Sequence, residues 1–453
     1  MPRIHEYFLF TLQKILIILK LFDLSLKLNG FPIKEAQKTL KSIQKIGDND
    51  FETYVNQQKQ DIVDYHLTYN PFYKSFAKGK NIKDWNSIPV MTKRDLQQPL
   101  TNRLSEGFHI KNVHIHKTSG SSGDPFIFAK DKFCHALTWA VIQDRFSWLD
   151  IDFNSSKQAR FYGIPLHKKG YYKELIKDTL GNRYRFSVFD LSDKQLHKNL
   201  TKFKTTKFDY INGYTSSIVQ FAKFLKKEKV ILKRVCPSLK YCIVTSEMLF
   251  EIDNELLETQ FGIPIINEYG AAELGFIAFQ NKKNEWVINS DDLFVEILDD
   301  DNRVLPYGEE GRVVITSLYN KAHPFIRYDI GDFAVLSKKS TFKKPLLESL
   351  IGRTNDLAIL PSGKKAAGLT FYYITKSIIE DDGNVKEFII EQHTKSNFKI
   401  KYTSDRPLSS ENTKRILSEM ETYLEKGLTI VFEKKAFLQR SKSGKLKQFK
   451  SFL

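Results

Sequence analysis

Between residues 159 and 261, short apolar runs at 159–162, 210–212 and 241–244 alternate with amphipathic stretches at 218–226 and 250–261. Short apolar runs separated by helix-length segments predict parallel strands with crossover helices packed on the sheet faces. From residue 286 to 336 the sequence becomes strand-rich, with alternating patterns such as Phe294-Val295-Glu296-Ile297-Leu298 and turn residues at Pro306-Tyr307-Gly308. That change predicts an antiparallel or barrel-like sheet. A basic stretch at 338–344 then leads to Gly352-Arg353-Thr354-Asn355-Asp356, and a separate α+β segment of about a hundred residues follows. The expected class is α/β: a large N-terminal domain of mixed sheets flanked by helices plus a barrel-like sheet, with a small C-terminal α+β domain. The divisions expected are 1–30 for an apolar amphipathic N-terminal helix, 31–355 for the large domain and 356–453 for the small one.

A chain of 453 residues with 41% hydrophobic and 13% aromatic content has enough apolar material for two or three cores. Its net charge of +17 favours anionic partners such as nucleotides, coenzyme A, nucleic acid or an acidic membrane surface. Dedicated nucleic-acid binding is not expected, because no zinc-finger spacing, RNA-recognition signature or basic zipper accompanies the charge. Three cysteines, Cys134, Cys236 and Cys242, have no metal-ligand spacing and an odd count, which argues for buried thiols in a reducing compartment. Cys134 and His135 are sequence neighbours on a predicted helix and therefore point about 100° apart, which disfavours a catalytic dyad. Residues 7–28 read as a strongly apolar helix, too interrupted by Lys14 and Lys20 to cross a bilayer. Burial against the body of the protein is favoured over an interfacial position on an anionic membrane.

The run Lys117-Thr118-Ser119-Gly120-Ser121-Ser122-Gly123-Asp124-Pro125 is a poor helix and a poor strand. As a loop it offers hydroxyls and backbone N–H groups in a form suited to phosphate. A solvated Ser/Gly linker is the competing reading, but the apolar Phe126-Ile127-Phe128 that follows immediately favours a functional loop. It is not a P-loop, since no lysine follows the second glycine. Four further stretches carry candidate chemistry: Asn267-Glu268-Tyr269-Gly270-Ala271-Ala272-Glu273, Ile326-Arg327-Tyr328-Asp329-Ile330-Gly331-Asp332, Gly352-Arg353-Thr354-Asn355-Asp356, and Ser441-Lys442-Ser443-Gly444-Lys445. Taken one at a time, these are ordinary turns with solvated charges.

In these five stretches, and in their order, the chain resembles the adenylate-forming superfamily of acyl- and aryl-CoA ligases. Within it the sequence is similar to the phenylacetate–CoA-ligase-like branch, which includes proteins of capsular polysaccharide biosynthesis. Tyr69-Asn70-Pro71-Phe72-Tyr73, Ile88-Pro89-Val90-Met91-Thr92-Lys93, Gly213-Tyr214-Thr215-Ser216 and Val244-Thr245-Ser246-Glu247 extend the resemblance over roughly residues 60 to 450. It implies a cytoplasmic enzyme that, with Mg²⁺ as cofactor, joins a carboxylic acid to the AMP part of ATP with release of pyrophosphate, then passes the acyl group to coenzyme A, an amine or a carrier. Such a reaction holds two anions together, so positioning and charge neutralisation dominate.

On the same resemblance, Thr118, Ser119, Gly120, Ser121, Ser122 and Gly123 would grip the phosphates. Tyr269 and Gly270 would face the adenine, Glu273 would ligate Mg²⁺, and Asp332 and Arg353 would hold ribose and phosphate. Lys445 would neutralise charge during adenylation, and Asp356 would be the hinge of a mobile C-terminal lid. The sequence departs from the family pattern at Ala272, where many relatives have a hydroxyl residue, and at Asp329 and Ile330, where a basic residue and a threonine are common. A second reading is a non-catalytic or membrane-docked assembly protein of polysaccharide synthesis that uses the same fold as a scaffold.

Overall fold

The computed structural model describes residues 20–82, 84–117, 126–163, 168–353, 357–363, 365–367, 385–439 and 449–453. Four helices open it: α1 (Leu21–Leu28), α2 (Ile33–Lys45), α3 (Asp48–Tyr69) and α4 (Pro71–Phe76). Strand β1 (Met91–Thr92), the hairpin strands β2 (His114–Lys117) and β3 (Ile127–Lys130), and helix α5 (Lys132–Ser147) follow. Next come β4 (Gln158–Phe161), α6 (Lys168–Leu180), β5 (Arg183–Phe186), α7 (Asp193–Thr205), β6 (Tyr210–Tyr214), α8 (Thr215–Lys227), α9 (Leu232–Val235), β7 (Tyr241–Thr245), α10 (Glu251–Phe261), β8 (Ile265–Ala271), β9 (Gly275–Gln280) and β10 (Trp286–Ile288).

Strands β4 to β10 form one seven-stranded sheet in the order β10-β9-β8-β7-β6-β4-β5. Its five members from β5 to β8 are parallel, and the β8–β9–β10 edge is antiparallel. The apolar runs at 159–162, 210–212 and 241–244 thus fall on parallel strands, and those at 218–226 and 250–261 fall on the crossover helices α8 and α10. One sheet face buries Ala159, Phe161, Ile211, Cys242 and Val244 with Phe221 and Leu225 of α8 and Leu257 of α10. The other buries Tyr210, Ile243 and Ile266 with Ala136, Leu137, Ala140 and Val141 of α5. Burial on both faces explains why these strands read as short apolar runs without strict alternation. At Gly213 a side chain is excluded by the neighbouring strand, since a Cβ would lie 2.3 Å from the Phe161 carbonyl oxygen.

The second sheet is β11 (Leu293–Leu298), β12 (Glu310–Ser317), β13 (Tyr328–Leu336) and β14 (Leu347–Arg353), joined by β1. Its pairings are antiparallel except for β1, which runs parallel to β13. Met91 and Thr92 pair with Tyr328 and Asp329 as a strand, and Asp95 Oδ2 accepts from Thr92 N at 2.8 Å and Oγ1 at 2.6 Å within the turn that follows. The remaining elements are β15 (Leu357–Ile359), β16 (Lys365–Ala367), β17 (Val385–Gln392), β18 (Asn397–Ser404), α11 (Ser410–Tyr423), β19 (Thr429–Lys434) and β20 (Phe449–Ser451). The four strands β19-β18-β17-β20 form a sheet whose Phe388, Ile390, Phe398 and Ile400 bury against Ile416 and Met420 of α11.

Of the apolar N-terminal segment, residues 7–19 lie outside the described residues. In α1, Phe22 and Leu26 are buried, and the Phe22 ring lies 5.1 Å from those of Trp139 and Phe153. Among the described residues no helix is long and apolar enough to cross a membrane. All three cysteines are free and buried. Burial raises the Cys134 thiol and holds His135 down at about 2, so this neighbouring pair forms no thiolate–imidazolium dyad.

Candidate functional site

The site is built where the two large sheets meet. Strand β8 delivers Tyr269, and its turn into β9 delivers Glu273; β13 delivers Tyr328 and Asp332. That turn needs its two glycines. At Gly270 a Cβ would stand 2.8 Å from the Gly275 carbonyl oxygen, and Gly275, at φ +91°, would press a Cβ to 2.6 Å from Thr138 Cγ2. Thr138 is itself fixed by Lys130 Nζ, which donates to its hydroxyl at 2.9 Å, so α5 and β3 brace the turn that carries Glu273.

The Tyr269 hydroxyl donates to Asp332 Oδ2 at 2.7 Å, and the Tyr328 hydroxyl lies 3.3 Å from Glu273 Oε1. Two motifs 63 residues apart are therefore tied by a buried, charge-assisted hydrogen bond. Tyr269, Tyr328, Glu273 and Asp332 are all buried. In the register of β13 on β14, Asp332 stands opposite Arg353, which puts the backbones of the second and third motifs side by side.

The structure thus brings together Tyr269, Gly270, Glu273, Asp332 and the backbone of Arg353. Thr118, Ser119, Gly120, Ser121, Ser122, Gly123, Asp356 and Lys445 lie outside the described residues. The strands that lead into and out of the first loop are described: β2 and β3 pair antiparallel, with Lys117 opposite Ile127. Strand β3 is anchored by Arg103, whose Nη2 donates to the Ile127 carbonyl at 2.8 Å and whose Nη1 bonds His323 Nε2. Both side chains are buried, and His323 stays neutral because burial and the adjacent guanidinium oppose a second charge.

Within the second motif, Arg327 serves the scaffold. Wholly buried at φ +45°, it donates from Nη1 to the carbonyls of Asn86 at 2.9 Å and Ile88 at 2.8 Å, and it lies 3.5 Å from Glu296. Asp329, at a position where the family pattern differs, pairs with Arg312 at 2.7 Å and accepts from the Gly331 amide at 2.8 Å. It points into the sheet's own ion pair, which accounts for a carboxylate at that position.

Sequence reading did not single out Tyr328, although it stood inside a quoted motif, nor Glu268 beside Tyr269. Successive residues of a strand face opposite sides. Tyr269 therefore reaches Asp332, while Glu268 turns to the other sheet face and accepts from Thr245 Oγ1 at 2.7 Å. Burial pushes the Glu268 carboxyl up to about 7, against the opposing pull of the Thr245 hydrogen bond and of Arg160. Within 139–146 and 210–214, Phe146 and Tyr210 are buried with ring centroids 5.9 Å apart.

No protein-family profile matches the chain. Protein CapK of Staphylococcus aureus is 22% identical over 323 residues, covering 68% of this chain and 69% of that protein. Phenylacetate-coenzyme A ligase of Aromatoleum evansii is 26% identical over 306 residues, covering 64% of this chain and 67% of the relative. Among solved structures, 2-hydroxyisobutyryl-CoA ligase in its postadenylation state with an acyl-AMP matches with a TM-score of 0.68 at 16% identity, over 89% of this chain and 90% of that one. In sequence and in fold, the chain resembles the adenylate-forming superfamily, in its phenylacetate–CoA-ligase-like branch.

Proposed function

We propose that the protein is an ATP-dependent, AMP-forming ligase that converts a carboxylic acid to its acyl-adenylate and transfers the acyl group to coenzyme A. The observation that carries this reading is the Tyr269–Asp332 hydrogen bond, with Glu273 on Tyr328 beside it. It joins an aromatic plane for a purine, a carboxylate for two ribose hydroxyls and a hard oxygen donor in one buried cluster, on a fold shared with an enzyme solved with acyl-AMP. Glu273 fits Mg²⁺ in the manner of phosphate-bound magnesium, which takes one or two carboxylates and completes its shell from phosphate and water. Among the described residues no group of three acidic, histidine or cysteine side chains forms an all-protein cage. When bound, the ion would neutralise phosphate charge.

In this reading Asp332 holds the ribose, Tyr269 presents its ring to the base, and Thr118, Ser119, Ser121 and Ser122 grip the departing phosphates. Lys445 brings a point charge to the acyl carboxylate and α-phosphate, and the segment after Asp356 turns between the half-reactions. The resemblance to a branch that includes proteins of capsular polysaccharide biosynthesis supports a role for the product in cell-surface polysaccharide synthesis. A cytoplasmic enzyme resting on the inner membrane face through α1 is supported by exposed Leu24 and Leu28 on α1, and by exposed Tyr172 and Ile176 on α6, which packs beside α1. The test is pyrophosphate release from ATP over a panel of aryl, fatty, amino and hydroxy acids. Release with at least one acid is expected; no release with any, together with no ATP binding by calorimetry, would contradict the reading.

A further inference from the structure

On the sheet face opposite Tyr269, the C-terminal ends of four parallel strands carry a polar row. Arg160 on β4 stands in register with Asn212 on β6, and one step further along, Tyr214 on β6 pairs with Thr245 on β7, which pairs with Glu268 on β8. An interior parallel sheet is ordinarily apolar on both faces, so a run of arginine, asparagine, threonine and glutamate is a local departure with a cost. Towards the strand N-termini the same face is closed by the apolar packing of Tyr210 against Phe146 of α5.

The row is braced. Asn212 Oδ1 accepts from Gln158 Nε2 and from the Tyr162 hydroxyl, each at 3.1 Å, and Asn212 Nδ2 donates to the Ile243 carbonyl at 3.2 Å. Tyr162 so fixed supports the Arg160 guanidinium, whose Cζ lies 4.0 Å from the ring centroid, and the Tyr162 and Tyr214 rings are 4.8 Å apart. Thr245 fixes Glu268 at 2.7 Å. Asn212, Tyr162 and Thr245 thus spend their hydrogen bonds on orientation. Arg160 Nε is buried and finds no partner among the described residues, and Glu268 is only half-buried. The row therefore ends in a guanidinium at one end and a carboxyl at the other, three strand spacings apart, or about 14 Å between backbones.

We propose that this row selects the acid, and that the acid is hydroxylated along its length. The assignment rests on the reading of the protein as an acid-activating ligase. A hydroxyl both donates and accepts, so it satisfies Glu268 at one end and Arg160 at the other. An ammonium group serves only Glu268, a second carboxylate serves only Arg160, and a bare phenyl or alkyl chain desolvates both groups while adding no partner to Arg160 Nε or to the Glu268 carboxyl beyond Thr245. Discrimination of this kind is large, because a site built to hydrogen-bond a substrate hydroxyl rejects the analogue that lacks it.

The test compares butyrate, 3-hydroxybutyrate, gluconate, 4-aminobutyrate, succinate and phenylacetate by pyrophosphate release and by direct calorimetry with the wild-type protein, Glu268→Ala, Glu268→Gln and Arg160→Ala. Circular dichroism and the KM for ATP of each variant report whether the fold and the nucleotide side are intact. A hydroxylated acid is expected to exceed its unsubstituted counterpart by about tenfold or more in kcat/KM. Glu268→Ala and Arg160→Ala should bring that ratio towards one, Glu268→Gln should restore part of it, and the KM for ATP should not change. Preference for phenylacetate, butyrate, 4-aminobutyrate or succinate overturns the proposal, as does a ratio indifferent to the variants or no calorimetric binding of any hydroxylated acid. Binding of hydroxylated acids without pyrophosphate release would retain the row and reject the ligase.

Discussion

Tyr269 and Glu268 are adjacent on one strand and belong to two different chemistries. The tyrosine side is closed and assembled from distant sequence: β8, the turn after it and β13 meet so that Tyr269 bonds Asp332 and Tyr328 approaches Glu273. The glutamate side is assembled from the ends of parallel strands and keeps a half-buried carboxyl and an arginine whose Nε finds no partner among the described residues. In the proposed reading one side serves the nucleotide and the other the acid. A single strand can serve both because its side chains alternate, and the partition predicts that variants on each side act on different kinetic parameters.

The largest separation is expected from Glu273→Ala and Asp332→Ala. Loss of a charged group aimed at phosphate or ribose should lower pyrophosphate release by about 100-fold or more while the order of acid preference is kept. A change in acid order would merge the two sides. Tyr269→Phe is milder. It removes the hydroxyl bonded to Asp332 at 2.7 Å and leaves a buried carboxylate short of a donor, so the KM for ATP should rise by about 5- to 30-fold. An unchanged KM would show that the hydrogen bond does not set the ribose carboxylate.

The next contrast is in pH. Glu268, with its carboxyl raised to about 7, binds its proton more tightly folded than unfolded. Its contribution is present below the unfolded carboxylate range and is lost as pH rises through about 7. The melting temperature of the wild type relative to Glu268→Gln should therefore fall as pH rises from about 4.5 to about 7, and a difference independent of pH would contradict the burial argument. His66 and His114, both held down at about 4 by burial, act with the opposite sign. They are neutral in the fold and protonate on unfolding, so their contribution should make stability fall as pH drops from about 6.5 towards 4, in Glu268→Gln as in the wild type. A flat acid limb would show that these histidines are not enclosed in solution.

How far the sequence could be read follows from the same physics. The parallel strands were legible because burial on both faces leaves short apolar runs, and the change of pattern near Trp286 marked the step from β9 and β10 into the antiparallel sheet. Strand β1 left no signal, since its pairing with Asp329 comes from a strand more than two hundred residues away. Motifs announced Glu273 and Asp332, whereas their hydrogen bonds to Tyr328 and Tyr269 depend on two sheets meeting. Asp329 and Arg327 show the converse: charged residues inside a motif whose partners, Arg312 and Glu296, belong to the scaffold. The Arg160–Glu268 row left no motif, because it is spread over four strands with one polar residue on each.

The most direct test of the account is acid-dependent pyrophosphate release from ATP by the wild-type protein beside Glu273→Ala and Asp332→Ala. Release with an acid, nearly abolished in both variants with their folds intact, is the predicted result. Release that persists undiminished in both variants, or its absence with every acid despite a folded wild-type protein, would contradict it.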